Sequence, residues 1–294
     1  MRENKVIYGL IGYGGMGRWH TEILSNVPEI EIGGIYDIKE EKRIEAKEKG
    51  FSVYGSEEEM LSDPDIDVVL IATPNDCHKP IAIRAMHAGK NVISEKPVTL
   101  SSSDLQEMVN VAKETGKFLT VHQNRRWDDD FLIIRKLVEE QKLGHVFRIE
   151  SRVHGSRGIP GDWRKEKIHG GGMVLDWGVH LLDQILYLYG DRKIETVYAS
   201  LTHITNQEVD DGFTTILTFE SFSPANPKTY EVLKTPRFRQ NAPAYISWNV
   251  QALFHSKKYF PLPSDSYQNR HQAPIVEKSF HLQQSLLCTV SKFH

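Results

Sequence analysis

Through the first 120 residues of the chain, short apolar runs alternate with stretches whose apolar positions recur every three to four residues. The runs at 6–11, 32–36, 68–72, 91–94 and 118–121 read as strands, and the stretches at 15–26, 40–49, 76–88 and 102–115 read as helices. This alternation predicts a parallel sheet with helices on both faces. Gly50, Gly89 and Gly116 each close a helical stretch, as a C′ glycine does. Ser101 opens the fourth helix as an N-cap with an acid soon after it.

After His122 the rhythm changes. A charged helix over 128–141 ends at Gly144, and an alternating strand follows at 146–154. A triple glycine, Gly170–Gly172, precedes an apolar helix over 173–189, with further strands at 196–205 and 213–219. This part reads as an α+β domain with an antiparallel sheet. The organisation expected is residues 1–122 as a nucleotide-binding domain, 123–221 as a substrate and catalytic domain, and 222–294 as an atypical C-terminal tail, poorly ordered or aberrant.

The strand at 6–11 runs into Gly12, Gly14 and Gly17, a G-x-G-x-x-G in register with Gly15 and Met16 inside it. Gly12 permits the tight turn, Gly14 admits a pyrophosphate, and Gly17 lets the next helix pack close to the strand. The helix N-terminus then offers free N–H groups to phosphates. Asp37 stands twenty residues past Gly17, at the end of the second strand. A carboxylate there accepts both ribose hydroxyls and repels a 2′-phosphate, which favours NAD over NADP.

Glu95-Lys96-Pro97 follows the strand at 91–94, on the carboxyl edge of the sheet where cofactors bind. A lysine at that edge, Lys96, reaches both the nicotinamide of the cofactor and a substrate hydroxyl, and stabilises an alkoxide. On the later helix Asp176 and His180 are four apart and share a face. Such a pair is costly to bury unless paired, and it suits general-base work. A structural hydrogen bond is the bland alternative. No further ligand pair is spaced to complete a metal site, so no metal is expected. Thr73, Pro74, Asn75 and His78 follow the strand at 68–72 and are read as lining the cofactor cleft, with Glu95 and Asn124. Arg126, Trp163 and Arg164 are the candidates for holding substrate, beside Asp176 and His180.

Net charge is −3, which gives no general attraction to nucleic acid or an anionic membrane. The two cysteines, Cys77 and Cys288, form no disulfide framework and suggest a reducing compartment. No apolar run is long enough to span a bilayer, and the start has no signal-peptide layout, so a cytoplasmic protein is expected. Residues 222–294 carry nine Lys/Arg against three Asp/Glu, leaving −9 for the remainder. That segment is rich in Pro, Ser, Gln and His. The abrupt change reads as a frameshifted or foreign terminus, with a divergent extension as the alternative.

The fingerprint, the acid at 37, the E-K-P and the run GGGMVLDWGVHLLD together resemble the Gfo/Idh/MocA oxidoreductases over about residues 5–220. The resemblance implies a Rossmann domain followed by an α+β domain with a mostly antiparallel open sheet, here incomplete. It implies NAD(P)-dependent hydride transfer to or from a secondary hydroxyl of a sugar, polyol or glycoside, and a homo-oligomer of the family type. By the same resemblance, His180 takes the hydroxyl proton, Asp176 orients it and Lys96 steadies the oxygen. A non-catalytic NAD-binding sensor or regulator and an inactive truncated member are the alternatives.

Overall fold

The computed structural model describes residues 5–144, 146–154, 159–220, 244–251 and 286–292. The chain divides into two compact units built from interleaved stretches. One takes Met1–Asn124, Ile159–Val179 and Leu201–Phe213; the other takes Arg125–Gly158, His180–Ser200 and Thr214–His294.

The first unit is organised by five parallel strands: β1 (Val6–Ile11), β2 (Ile30–Tyr36), β3 (Val68–Ile71), β4 (Asn91–Ser94) and β5 (Leu119–Val121). Their order is β2-β1-β3-β4-β5. Outside β2, a single parallel bridge between Ile35 and Val53 stands where a further strand would lie. The winding reverses between β1 and β3, and in such sheets the crevice beyond the carboxyl ends at that point takes the ligand.

Side-chain alternation sends each strand's apolar residues to opposite faces. Ile7 and Ile11 of β1, with Val69 and Ile71 of β3, belong to one core cluster that includes Met60, Met86 and Met108. Leu10 and Leu70 belong to the other, with Tyr13, Ile35 and Ala46. Each Val, Leu, Ile or Met among these, fully buried, contributes roughly 1.5–3 kcal/mol.

The helices are α1 (Gly15–Leu24), α2 (Glu40–Glu48), α3 (Glu57–Ser62), α4 (His78–His87) and α5 (Ser102–Thr115). The bounds of α5 follow from its ends: the Ser101 hydroxyl accepts the Asp104 N–H at 3.2 Å, and Gly116 is left-handed with φ 65°. Helix α3 is absent from the sequence reading. Its six residues are too few to show a period, and its stability comes from the Ser56 cap on the Glu59 N–H (3.1 Å) and from buried Met60 and Leu61.

In the stretch 159–179, two short 3-10 turns, Trp163–Lys165 and Lys167–His169, lead to the triple glycine. A π-helical turn, Val174–Gly178, follows where the sequence predicts the first turn of an α-helix. One turn is too short for apolar spacing to separate the two hydrogen-bond patterns. Asp210 caps this segment: its carboxylate accepts the Val174 N–H at 2.9 Å and its carbonyl accepts the Met173 N–H at 3.0 Å.

In the second unit, helix α6 (Asp129–Glu139) buries Phe131 and Ile134. Phe131 meets Tyr187 of α7 (Val179–Tyr189) edge-on, with ring centres 5.9 Å apart. Strand β6 (Val146–His154) pairs in parallel with β9 (Ala244–Gln251), and β9 pairs antiparallel with β10 (Leu286–Lys292). Strands β7 (Ile194–Thr202) and β8 (Gly212–Phe219) form a two-stranded sheet. The Glu220 N–H on Lys193 O and the Asp211 N–H on Thr202 O, both 2.9 Å, make the pairing antiparallel. The expectation of a poorly ordered or aberrant tail over 222–294 falls mostly outside the described residues, of which β9 and β10 are part. Among the described residues no helix is long and apolar enough to cross a membrane.

Candidate active site

Gly12, Asp37, Thr73 and Glu95 each lie just past the carboxyl end of a strand. At the end of β1, Gly12 has φ +97°, and an added Cβ would lie 2.6 Å from Ala72 O. At Gly17 a Cβ would lie 2.1 Å from Gly12 O, so helix α1 rests directly on the turn. Gly14 and Gly15 face the opposite condition: a Cβ on either meets nothing within 4 Å. Helix α1 has no side-chain cap and no acid in its first turn. An open cradle beneath an uncapped helix N-terminus fits the pyrophosphate of a dinucleotide.

Asp37 directly follows β2 and closes over this turn. Its carboxylate accepts the Tyr13 N–H at 2.6 Å and the Lys39 N–H at 2.9 Å. Past β3, Thr73 donates to Pro74 O at 3.3 Å. Buried Asn75 donates to Gly170 O at 2.7 Å, and Asp76 meets the His169 ring at 3.1 Å. These contacts seat the glycine-rich loop on the turn after β3. His78 is fully buried, with its ring nitrogens on Pro97 O (2.8 Å) and Thr73 O (3.0 Å). Burial pushes its pKa down against the pull of those two carbonyls. The side chains of Asn75 and His78 thus brace the loops that frame the cleft. Asn124 opens a 3-10 turn, Asn124–Trp127, after β5.

Past β4 comes Lys96. Its ammonium donates to Asp176 O at 2.7 Å and to Asp176 Oδ1 at 3.1 Å. The Arg164 guanidinium approaches the same Oδ1 at 3.3 Å, stacks on the Trp163 ring at 4.5 Å and pairs with Asp162 at 2.7 Å. Two residues eighty positions apart therefore meet. Burial raises the Asp176 pKa, but Lys96 and then Arg164 outweigh it and leave the carboxyl below its ordinary range.

A carboxyl with a depressed folded pKa stabilises the fold above its unfolded value, about 3.9 for aspartate. That contribution is lost as pH falls through the lower folded value. The melting temperature of wild type is therefore expected to exceed that of Asp176→Asn near pH 7. The gap should narrow as pH drops below about 4. Parallel thermal melts of the two proteins from pH 7 to 3 check this, and a gap independent of pH would refute it.

In the second unit, His180 is buried at 5% exposure near the start of α7. Arg126 forms a two-pronged pair with Asp183, at 2.7 and 2.6 Å, and lies over the Tyr187 ring at 5.3 Å. Arg126 is thus engaged by protein.

Three groups escaped the sequence reading. His20 of α1 and His122 after β5 both meet one oxygen of buried Glu95, at 2.7 and 3.0 Å. The third is Asp210, the cap described above. The available signals were a histidine three residues past the last fingerprint glycine and another directly after a strand. Neither signal names a partner.

An α/β unit with an open glycine cradle, an acid just past β2 and a lysine just past β4 is a dinucleotide-binding architecture. Residues 6–123 match the oxidoreductase family described as having an NAD-binding Rossmann fold, and residues 131–229 match the GFO/IDH/MocA C-terminal domain. The chain belongs to the Gfo/Idh/MocA oxidoreductase family. It is similar to the uncharacterized oxidoreductase YdgJ of Escherichia coli, at 37% identity over 64% of this chain and 55% of that protein. It is 30% identical to scyllo-inositol 2-dehydrogenase (NADP(+)) IolW of Bacillus subtilis, over 76% of this chain and 65% of that one. The crystal structure of an NAD-binding protein from Listeria innocua matches with TM-score 0.71 and 51% identity, over 74% of this chain and 64% of that one. The chain thus spans between half and two thirds of the length of these relatives.

Proposed function

We propose that the protein transfers hydride between NAD and a secondary hydroxyl of a polyol, sugar or glycoside. The observation that carries this reading is the contact of Lys96 with Asp176 at the carboxyl edge of a sheet whose glycine cradle suits a dinucleotide. Bound NAD supplies the hydride acceptor. Asp37 is the group for the adenosine ribose hydroxyls, and its negative charge disfavours a 2′-phosphate.

Lys96 holds a positive charge where an alcohol oxygen becomes negative as hydride leaves, which lowers the barrier to that step. Asp176 fixes the direction of the Lys96 ammonium, and Arg164 shares the aspartate's charge. His180 follows Asp176 by four residues in the chain and is assigned the hydroxyl proton, which imidazole accepts near neutral pH. Trp163 and Arg164 offer a flat face and a cation to the substrate. The substrate class is supported by relatives named inositol dehydrogenases, among them the myo-inositol 2-dehydrogenase of Thermotoga maritima.

The test is purified protein with NAD and a panel of inositols, aldoses and glycosides, followed by NADH absorbance. A reverse assay with NADH and the matching ketones covers the opposite direction. A mixture of polyol and a second ketone, read by product mass, covers tight retention of cofactor, since retained NAD then shuttles hydride without release. Turnover with at least one cyclic polyol or sugar is expected. NAD binding with no turnover in either direction would overturn the reading in favour of a sensor.

A further inference from the structure

Glu95 is 5% exposed, and its carboxylate is the meeting point of three parts of the first unit. His20 Nε2, from the helix that starts at the phosphate turn, lies 2.7 Å from Oε1. His122 Nδ1, from the end of β5, lies 3.0 Å from the same oxygen. The other oxygen accepts the backbone N–H of Lys96 at 3.2 Å. The two imidazoles meet edge to face with centres 4.7 Å apart, and the Trp19 ring lies 5.2 and 5.9 Å from them.

A buried carboxylate is costly unless its oxygens are hydrogen-bonded, and here both are engaged. Burial raises the Glu95 pKa, but the hydrogen bonds from His122 and His20 outweigh it, and the group stays ionised. An apolar side chain would fill the same volume without that desolvation cost. What an apolar residue cannot do is fix the peptide N–H of its neighbour.

We propose that His20, Glu95 and His122 form a positioning device for Lys96. The two imidazoles fix one oxygen of Glu95, the other oxygen fixes the Lys96 peptide, and helix α1 is thereby tied to the residue bearing the reacting amine. This rests on the role given to Lys96 above. None of the three touches the alcohol; they act through Lys96. A displacement of the order of 1 Å in a reacting group costs about 10²-fold in rate, so a device that prevents it has value for turnover without serving cofactor affinity. The three ligand atoms also lie within 4.8 Å of one another, a spacing a metal ion is able to share. Direct hydrogen bonds of 2.7 and 3.0 Å account for that spacing without one.

The experiment uses the full chain and three readouts: kcat with the best polyol or sugar, the NAD dissociation constant by calorimetry, and the rate of Lys96 acetylation by peptide mass spectrometry. Glu95→Ala is expected to lower kcat about 10²-fold and to weaken NAD binding far less, because its buried carboxylate is taken up by His20, His122 and the Lys96 peptide. Lys96 should acetylate faster, because its peptide is no longer held and its contact with Asp176 loosens. Glu95→Gln should restore both readouts largely: the amide oxygen accepts the Lys96 N–H, and the amide nitrogen faces an imidazole in its acceptor tautomer. His122→Ala, at a partly buried position, should shift both in the same direction by less, since His20 still holds the carboxylate.

Folded Glu95→Ala with kcat and Lys96 acetylation at wild-type values would overturn the proposal. So would wild-type activity lost to a chelator and restored by zinc, which would make the cluster a metal site. Should wild type turn over nothing while acetylation still follows this order, the positioning role stands and the dehydrogenase reading falls.

Discussion

Replacing Lys96 by alanine is expected to lower kcat about 10³-fold, the scale of removing one preorganised charge-stabilising donor. That corresponds to about 4 kcal/mol of barrier. The Lys96 ammonium is held by Asp176 O at 2.7 Å and Oδ1 at 3.1 Å, so its direction is set before any substrate arrives. Preorganisation of this kind acts on developing charge more than on the neutral alcohol. The Michaelis constant for substrate should therefore rise less than kcat falls. Affinity for NAD should fall far less than kcat, because the glycine cradle formed by β1 and α1 is untouched. Lys96→Arg keeps the charge on a planar fork of different reach and is not expected to restore turnover. Steady-state kinetics with the polyol or sugar that wild type uses, beside calorimetric titration of NAD, decide the matter. Undiminished kcat in Lys96→Ala would remove the lysine from the mechanism.

A second large effect is expected in the glycine turn, and it separates folding from binding. In Gly17→Ala the new methyl would stand 2.1 Å from Gly12 O and 3.0 Å from Gly12 C, both backbone atoms. The turn or helix α1 must move, at a cost of roughly 2–4 kcal/mol, within the range of overpacked and strained sites. Gly14→Ala places its methyl in open space, at φ −76°, which alanine adopts without strain. Its stability should stay within about 0.5 kcal/mol of wild type, as for substitutions that meet no neighbour. NAD affinity should fall in both variants, by tenfold or more in order of magnitude, since Gly14 is where the backbone must approach the pyrophosphate. Thermal melts paired with NAD titration give the comparison. Tight NAD binding by Gly14→Ala would show that the cradle does not hold the phosphates.

The sheet of the first unit was legible because its strands end at residues with a backbone task. Strand β1 stops at Gly12, and β4 stops before the E-K-P, so apolar alternation and punctuation agree. Helix α5 was legible at both ends for the same reason. Asp176 and Lys96 were each readable from position, though nothing in the spacing of residues eighty apart says that they touch. The Glu95 cluster was not readable. Its members stand 75 and 27 residues from Glu95, and their meeting depends on how α1 and β5 are seated on β4. Asp210 was missed because an aspartate before a strand reads as turn chemistry, whereas its task is to cap a helical turn 36 residues earlier. The π turn Val174–Gly178 was missed because apolar spacing over five residues carries no information on which carbonyl each N–H selects.

The lone bridge beside β2 bears on how this unit keeps to itself in concentrated solution. The segment around Val53 crosses the margin of the sheet and takes both backbone groups of Ile35: its N–H donates to Ser52 O at 2.9 Å, and its carbonyl accepts the Tyr54 N–H at 3.0 Å. The Tyr54 ring then covers Gly34, where a methyl group would lie 2.4 Å from the ring. A foreign strand approaching that margin finds its central docking points already taken, which guards against strand-by-strand addition of other molecules.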